Sequence, residues 1–151
     1  MQPVPDDLFI RYDWHEGTIP PPYHYEYTIS IGADGRGQVE MMPGYSSSAA
    51  PVWTEGFSVS PEALAGLYRL MGKRRLLATR WREIERPPVG GSTNWLSVTA
   101  GGRQVCTPAF IVPAQQPAAE AVYAAIKALV PQEIWDRLHE QREQYVRDNE
   151  S

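Results

Sequence analysis

The sequence predicts an α+β fold, an antiparallel sheet of about five to seven strands with two or three helices packed on one face. Three observations carry this. Apolar and polar residues alternate over Leu8–His15 and again over Tyr23–Ile31, which is the period of a strand. Apolar residues recur at helical spacing after Ser60 and through the last third of the chain. The order is strands, helix, strands, helices, without the strict alternation that builds a parallel sheet.

In the first strand Leu8, Ile10, Tyr12 and Trp14 share one side, and Phe9, Arg11, Asp13 and His15 the other. In the second, Tyr23, Tyr25, Tyr27, Ile29 and Ile31 form the aromatic and β-branched side that should face the core, with His24, Glu26, Thr28 and Ser30 opposite. Between them Pro20-Pro21-Pro22 lacks amide donors and predicts a stiff connection. Ala33-Asp34-Gly35 reads as a hairpin turn that sets Ile29 opposite Val39 and Tyr27 opposite Met41. A third strand over Arg36–Met42, a loop over Pro43–Pro51 and a fourth strand carrying Trp53, Phe57 and Val59 follow.

Ser60-Pro61-Glu62 has the chemistry of a helix start: a side-chain cap, a proline where no amide is needed, and an acid at the positive end of the dipole. Leu64, Leu67, Tyr68 and Met71 then lie on one face, with Gly72 as the expected stop. Leu76–Arg86 is compatible with either a strand or a helical continuation. Trp95–Ala100, a Gly101-Gly102 turn and Arg103–Val112 predict a hairpin with Val98 opposite Val105. Pro117 opens a helix whose Val122, Ile126, Leu129 and Val130 share a face, and Pro131 opens another with Ile134, Trp135, Leu138 and Tyr145 apolar. Glu133/Arg137 and Glu143/Arg147 are spaced for ion pairs on its wet side.

The chain has 151 residues, of which 42% are hydrophobic and 21% charged. That composition predicts one globular domain over 1–151, with an ordered core spanning about residues 7–147. A net charge of -4 with scattered basic residues makes nucleic acid a poor partner. No apolar run approaches the roughly 20 residues that a membrane-spanning helix needs. Met1–Asp7 carries two prolines and two acids rather than a basic and then apolar segment, and Cys106 is the single cysteine, so a reduced, cytoplasmic setting is expected. The layout, with Tyr25-Glu26-Tyr27-Thr28-Ile29-Ser30-Ile31 leading to Asp34-Gly35, resembles small uncharacterised bacterial α+β domains. This resemblance implies the fold and no activity.

The candidate functional residues are Arg11, Asp13 and His15 on the first strand with His24 and Glu26 on its neighbour. A register placing Tyr12 opposite Tyr25 pairs Asp13 with His24 and Arg11 with Glu26, an ordinary charge-paired solvent face. A slip by two would instead set His15 against His24 and Asp13 against Glu26. The functional alternative is that the imidazoles and a carboxylate converge on a metal or act as acid and base. Pro20-Pro21-Pro22-Tyr23 fits a pattern bound by WW domains but is better explained as a stiff strand entry. Cys106 is expected to be a small buried residue. Most of the aromatic residues fall on the core side, and Tyr45, Trp53 and Trp95 are those positioned to line a cleft. The sequence contains no phosphate loop, nucleophile elbow or paired-cysteine zinc motif. It therefore points to a non-catalytic binding module without a cofactor, an acidic protein docking on another protein as bacterial immunity proteins do. The alternative is a small enzyme or metal-binding domain using the first hairpin.

Overall fold

The computed structural model describes residues 3–45 and 50–150. It contains one antiparallel sheet of six strands and three helices, as expected. The strands are β1 (Phe9–His15), β2 (Tyr25–Gly32), β3 (Arg36–Pro43), β4 (Trp53–Ser58), β5 (Thr93–Ala100) and β6 (Arg103–Cys106), in the order β4-β3-β2-β1-β5-β6. The helices are α1 (Pro61–Lys73), α2 (Gln116–Leu129) and α3 (Gln132–Asn149).

Alternation decides the two faces of the sheet. Ile10, Tyr12, Ile29, Ile31, Val39, Met41, Leu96 and Val98 are buried in one cluster with Leu64, Leu67 and Met71 of α1, Val122 and Ile126 of α2, and Ile134 and Leu138 of α3. Phe9, Arg11, Asp13 and His15 of β1 belong to the opposite face, where their neighbours include Thr28, Ser97 and Trp95. The helices thus cover one side of the sheet, and among the described residues no helix lies on the polar side, called the open face below.

The β2–β3 hairpin has the expected register, Ile29 opposite Val39 and Tyr27 opposite Met41. Its turn needs Gly35, whose φ is +83° and whose missing Cβ would run into the Val59 carbonyl oxygen. Val98 lies opposite Val105 at the second hairpin, where the Asp7 carboxylate accepts both the Gly101 and the Gly102 amide at 2.7 Å. These two amides hold the Asp7 carboxyl below its ordinary pKa. Ser60 caps α1, its hydroxyl accepting from the Ala63 amide at 3.1 Å.

Several elements differ from expectation. β6 stops at Cys106 instead of Val112, and Pro108, which has no amide donor, follows two residues later. Leu76–Arg86 is neither strand nor helix; it makes turns and one bridge, Glu83 to Ile111, and the Gln115 side chain bonds the Arg82 amide and the Arg80 carbonyl. Of the loop over Pro43–Pro51, Pro43 belongs to β3 and residues 46–49 lie outside the described residues. Arg137 reaches across to Glu55 of β4 at 2.8 Å instead of closing a helical pair with Glu133, and Arg147 bonds Gln144. Tyr23 is a turn residue, 42% exposed, and its amide bonds back to the Pro20 carbonyl at 3.0 Å, so the proline segment turns here and does not run on as extended polyproline.

Gly72 does not stop α1. The helix runs through Lys73 and closes with Arg75 N–H to Gly72 O and Leu76 N–H to Met71 O, at 3.0 and 2.9 Å. In this closing motif the penultimate donor sits in the left-handed region and is normally glycine. Here it is Arg75, with φ +55°. Two substitutions should therefore move stability in opposite directions in guanidinium unfolding: Gly35→Ala should cost about 2 kcal/mol or more, and Arg75→Gly should gain roughly 1 kcal/mol.

Candidate functional site

The candidate residues meet on the open face, in a register other than the two considered from the sequence. β1 and β2 pair so that His15 lies opposite Glu26, Asp13 opposite Thr28 and Arg11 opposite Ser30. Tyr12 faces Ile29, and the expected pairs Asp13–His24 and Arg11–Glu26 are not formed. Residues from Glu16 to His24 lie outside both strands, and the pairing is extended by the Glu16 amide to the Tyr25 carbonyl at 3.0 Å.

Nor is the cluster an ordinary solvent face. Asp13 and Glu26 are each 6% exposed and His24 is 2% exposed. His24 lies one residue before β2, on the same face as Glu26, its carbonyl accepting from the Gly44 amide and its ring stacked on Tyr45 at 3.7 Å between centroids. Gly17, which accepts from this ring, is pressed against the Gly91 backbone, and a Cβ there would meet it at 3.1 Å. Buried carboxylates cost several kcal/mol unless they are paired and hydrogen-bonded, and both here are.

One oxygen of Glu26 organises the first group. Its Oε2 lies 2.9 Å from His24 Nε2 and 3.2 Å from His15 Nδ1, while His24 Nδ1 lies 3.0 Å from the Gly17 carbonyl. A carbonyl can only accept, so Nδ1 of His24 carries a hydrogen. The Nε2 contact then holds one further proton, on the imidazole or on the carboxyl group. His15 is half-buried and stacks at a tilt on Trp95, 4.7 Å between centroids.

Asp13 organises the second group. Arg11 Nε donates to Oδ2 at 3.1 Å, and the Thr28 hydroxyl donates to Oδ1 at 2.6 Å. The bond to Asp13 raises the Arg11 pKa further above its ordinary value, so this guanidinium stays charged. The two groups sit side by side, since residues two apart on a strand share a face. Around them is a depression of about 540 Å³ whose wall includes Glu40, Met42, Val52, Trp95 and Cys106.

The structure thus brings all five candidate residues to one place, but as mutually satisfied groups. The nitrogens of the two imidazoles that face inward are spent on Glu26 and Gly17, and they do not converge on a common coordination point. Among the described residues no group of three or more His, Cys, Asp or Glu is arranged to hold a metal ion. No known protein family matches the chain, and no curated protein matches it. Among the described residues no helix is long and apolar enough to cross a membrane.

Sequence reasoning missed two contributors. Cys106 is exposed, not buried: it faces the open side of an edge strand, opposite Ser97, with Sγ 3.7 Å from the Ser97 hydroxyl. The parity of Val98 against Val105 contains that signal, because an inward Val105 turns Cys106 outward. Tyr45, expected to line a cleft, instead stacks on the His24 ring. Trp53 lies on the helical side, edge-on to Tyr145 of α3 at 6.1 Å, and only Trp95 of the three lines the depression.

If Glu26 is the hub of this group, Glu26→Ala should destabilise the protein by about 2–4 kcal/mol in urea unfolding. A double-mutant cycle with His24→Ala should return a coupling of about 1–3 kcal/mol, whereas additive losses would locate the energy elsewhere. Native protein treated with iodoacetamide should be alkylated at Cys106 to completion; protection until unfolding would contradict its exposure.

Proposed function

We propose that the chain is a non-catalytic protein-binding module whose contact surface is the open face of the sheet. One observation carries the reading: the buried charges of this face are neutralised within the chain, while its apolar and aromatic groups are left for a partner. Val52 is 53% exposed at the depression, with Trp95 and Met42 half-buried in its wall, and Phe9, 48% exposed, lies at the far end of β1 on the same face. Aromatic residues and methionine are enriched at the centres of protein interfaces, where paired charges add specificity more than affinity.

Charge names the partner class. The lining of the depression carries three carboxylates, Asp13, Glu26 and Glu40, against one guanidinium and one imidazole. Asp13 and Glu26 are answered within the chain, so the exposed Glu40 carries the charge left for a partner, and the complementary surface presents a lysine or arginine to Glu40 at the edge of an apolar contact. An acidic bacterial protein that captures a basic one, in the manner of immunity proteins, fits this description.

A second reading, acid–base chemistry on a small substrate, is favoured by one contact. Glu26 holds Nδ1 of the half-exposed His15, as carboxylates do behind a catalytic imidazole.

The test uses tagged protein expressed in its native cells. Wild type and a control altered on the far surface, Ala124→Asp, should retain the same near-stoichiometric basic protein. The pair Val52→Asp with Trp95→Asp should reduce its recovery at least about tenfold, and washing at about 0.5 M salt should release it from wild type. Equal recovery with the face variant, or no stoichiometric protein with wild type, would overturn the reading in favour of the second.

A further inference from the structure

We propose that a second site, between the end of α1 and β6, binds a small organic anion with an apolar body. A cavity of about 780 Å³ opens there, within the range of roughly 300–1,000 Å³ that accommodates small-molecule ligands. Its apolar lining includes Tyr68, Met71 and Leu77, and Met71 is fully buried. Its polar lining is arginine: Arg69 from α1, Arg75 from the turn after it, and Arg103 from β6, with no acidic residue among the lining groups. The cavity shares no residue with the depression on the open face.

Three guanidiniums brought from three elements around an apolar floor concentrate positive potential in a concave place, where field lines focus. Their planar donor forks match carboxylate and phosphate oxygens. Arg103 is held in position by one bond, Nη2 to the Leu77 carbonyl at 2.8 Å, which leaves further N–H groups of the same guanidinium for a ligand. The negative end of the α1 dipole alone would oppose an anion. That end is already answered by the closing bonds to Gly72 and Met71 and by Lys73 in the last turn.

Arg75 supplies the independent observation. It occupies the left-handed position of the helix closure, where glycine relieves strain, and it is one of the residues that line the cavity. A non-glycine residue held in that conformation is the kind of local cost that functional sites carry.

The probes are phenyl phosphate and phenylacetate, compared with inorganic phosphate and benzyl alcohol, followed by backbone amide shifts in NMR titrations. At least one aromatic anion should bind saturably with a dissociation constant below about 1 mM, shifting amides of residues 65–78 and 103. The phosphate and carboxylate arms tell which oxyanion is preferred. Inorganic phosphate and benzyl alcohol should each bind at least about tenfold more weakly, because each lacks one half of the recognition. Arg103→Gln and Arg75→Gly should each weaken binding about three- to tenfold, and Arg75→Gly keeps the fold because it suits the turn better. No shift at about 10 mM of either aromatic anion would overturn the proposal, as would benzyl alcohol binding as tightly or both variants binding like wild type. None of these outcomes bears on the open face, so this proposal and the protein-binding reading stand or fall separately.

Discussion

β1 is hydrogen-bonded on both sides, to β2 and to β5, so its alternation sets which side of the whole sheet is dry. Tyr12 points into the core with no exposure, ringed by Tyr27 and Tyr123 at 6.3 and 5.1 Å, and its hydroxyl accepts from Asn94 at 2.9 Å. Moving β1 by one residue would exchange Tyr12 for Asp13, burying a carboxylate among hydrocarbons and exposing an aromatic ring. Burial of that kind raises the phenol pKa of Tyr12, Tyr27 and Tyr123, the last to about 12. Neutral phenols are what the core requires. The open face with its charged groups follows from the same constraint, because everything out of phase with Tyr12 must leave the core.

This explains which features were legible in the sequence. Parity is a local property, read from side chains two apart; for β3 and β5 the sequence pattern and the burial agree, and for β1 and β2 they agree except at Asp13 and Glu26, which are buried on the polar face. Register between neighbours is legible only where a turn dictates it. Asp34-Gly35 and Gly101-Gly102 do so, and both hairpins pair as expected. The connection from Glu16 to His24 is too long to dictate anything. Registers that differ by two residues all keep Tyr12, Tyr25 and Tyr27 on the core side, so hydrophobic burial does not choose among them. Charge complementarity between strands was the remaining guide, and it misled because His24 pairs with Glu26, two residues along its own segment, and not across with Asp13. A histidine next to an alternating tyrosine run looks like its polar complement. Only the fold reveals that the ring is buried, bonded to Glu26 two residues along on the same face.

What then selects the observed register is the satisfaction of Glu26. With His15 directly opposite and His24 two residues before it on the same face, one carboxylate oxygen ties together β1, β2 and the segment around Gly17. The Gly44 amide bonds the His24 carbonyl at 2.6 Å, and the Tyr45 ring lies under the imidazole, so the entry to the next loop rests on the same residue. An apolar group in place of such a cluster could be as stable or more so. The polar arrangement has a different consequence. Its donors and acceptors match in one geometry only, which removes the degeneracy that parity leaves, and the bare face keeps one fixed shape.

The same reasoning separates the two places where this chain departs from local rules. A buried His–Glu–His group would be anomalous on a surface meant only for water, yet its bonds are all internal and it accounts for itself as the device that fixes strand register. Arg75 has no such internal justification. The helix closure would be better made with glycine, and the Schellman bonds to Gly72 and Met71 do not use the arginine side chain. A local preference broken with no gain within the fold is a mark of functional sites, which is the ground on which the anion site at Arg75 is proposed. At Arg75 the only feature that the side chain adds is a third guanidinium on the rim of an apolar cavity, and that makes the end of α1, more than the charged face, the place where the fold carries a cost without an internal return.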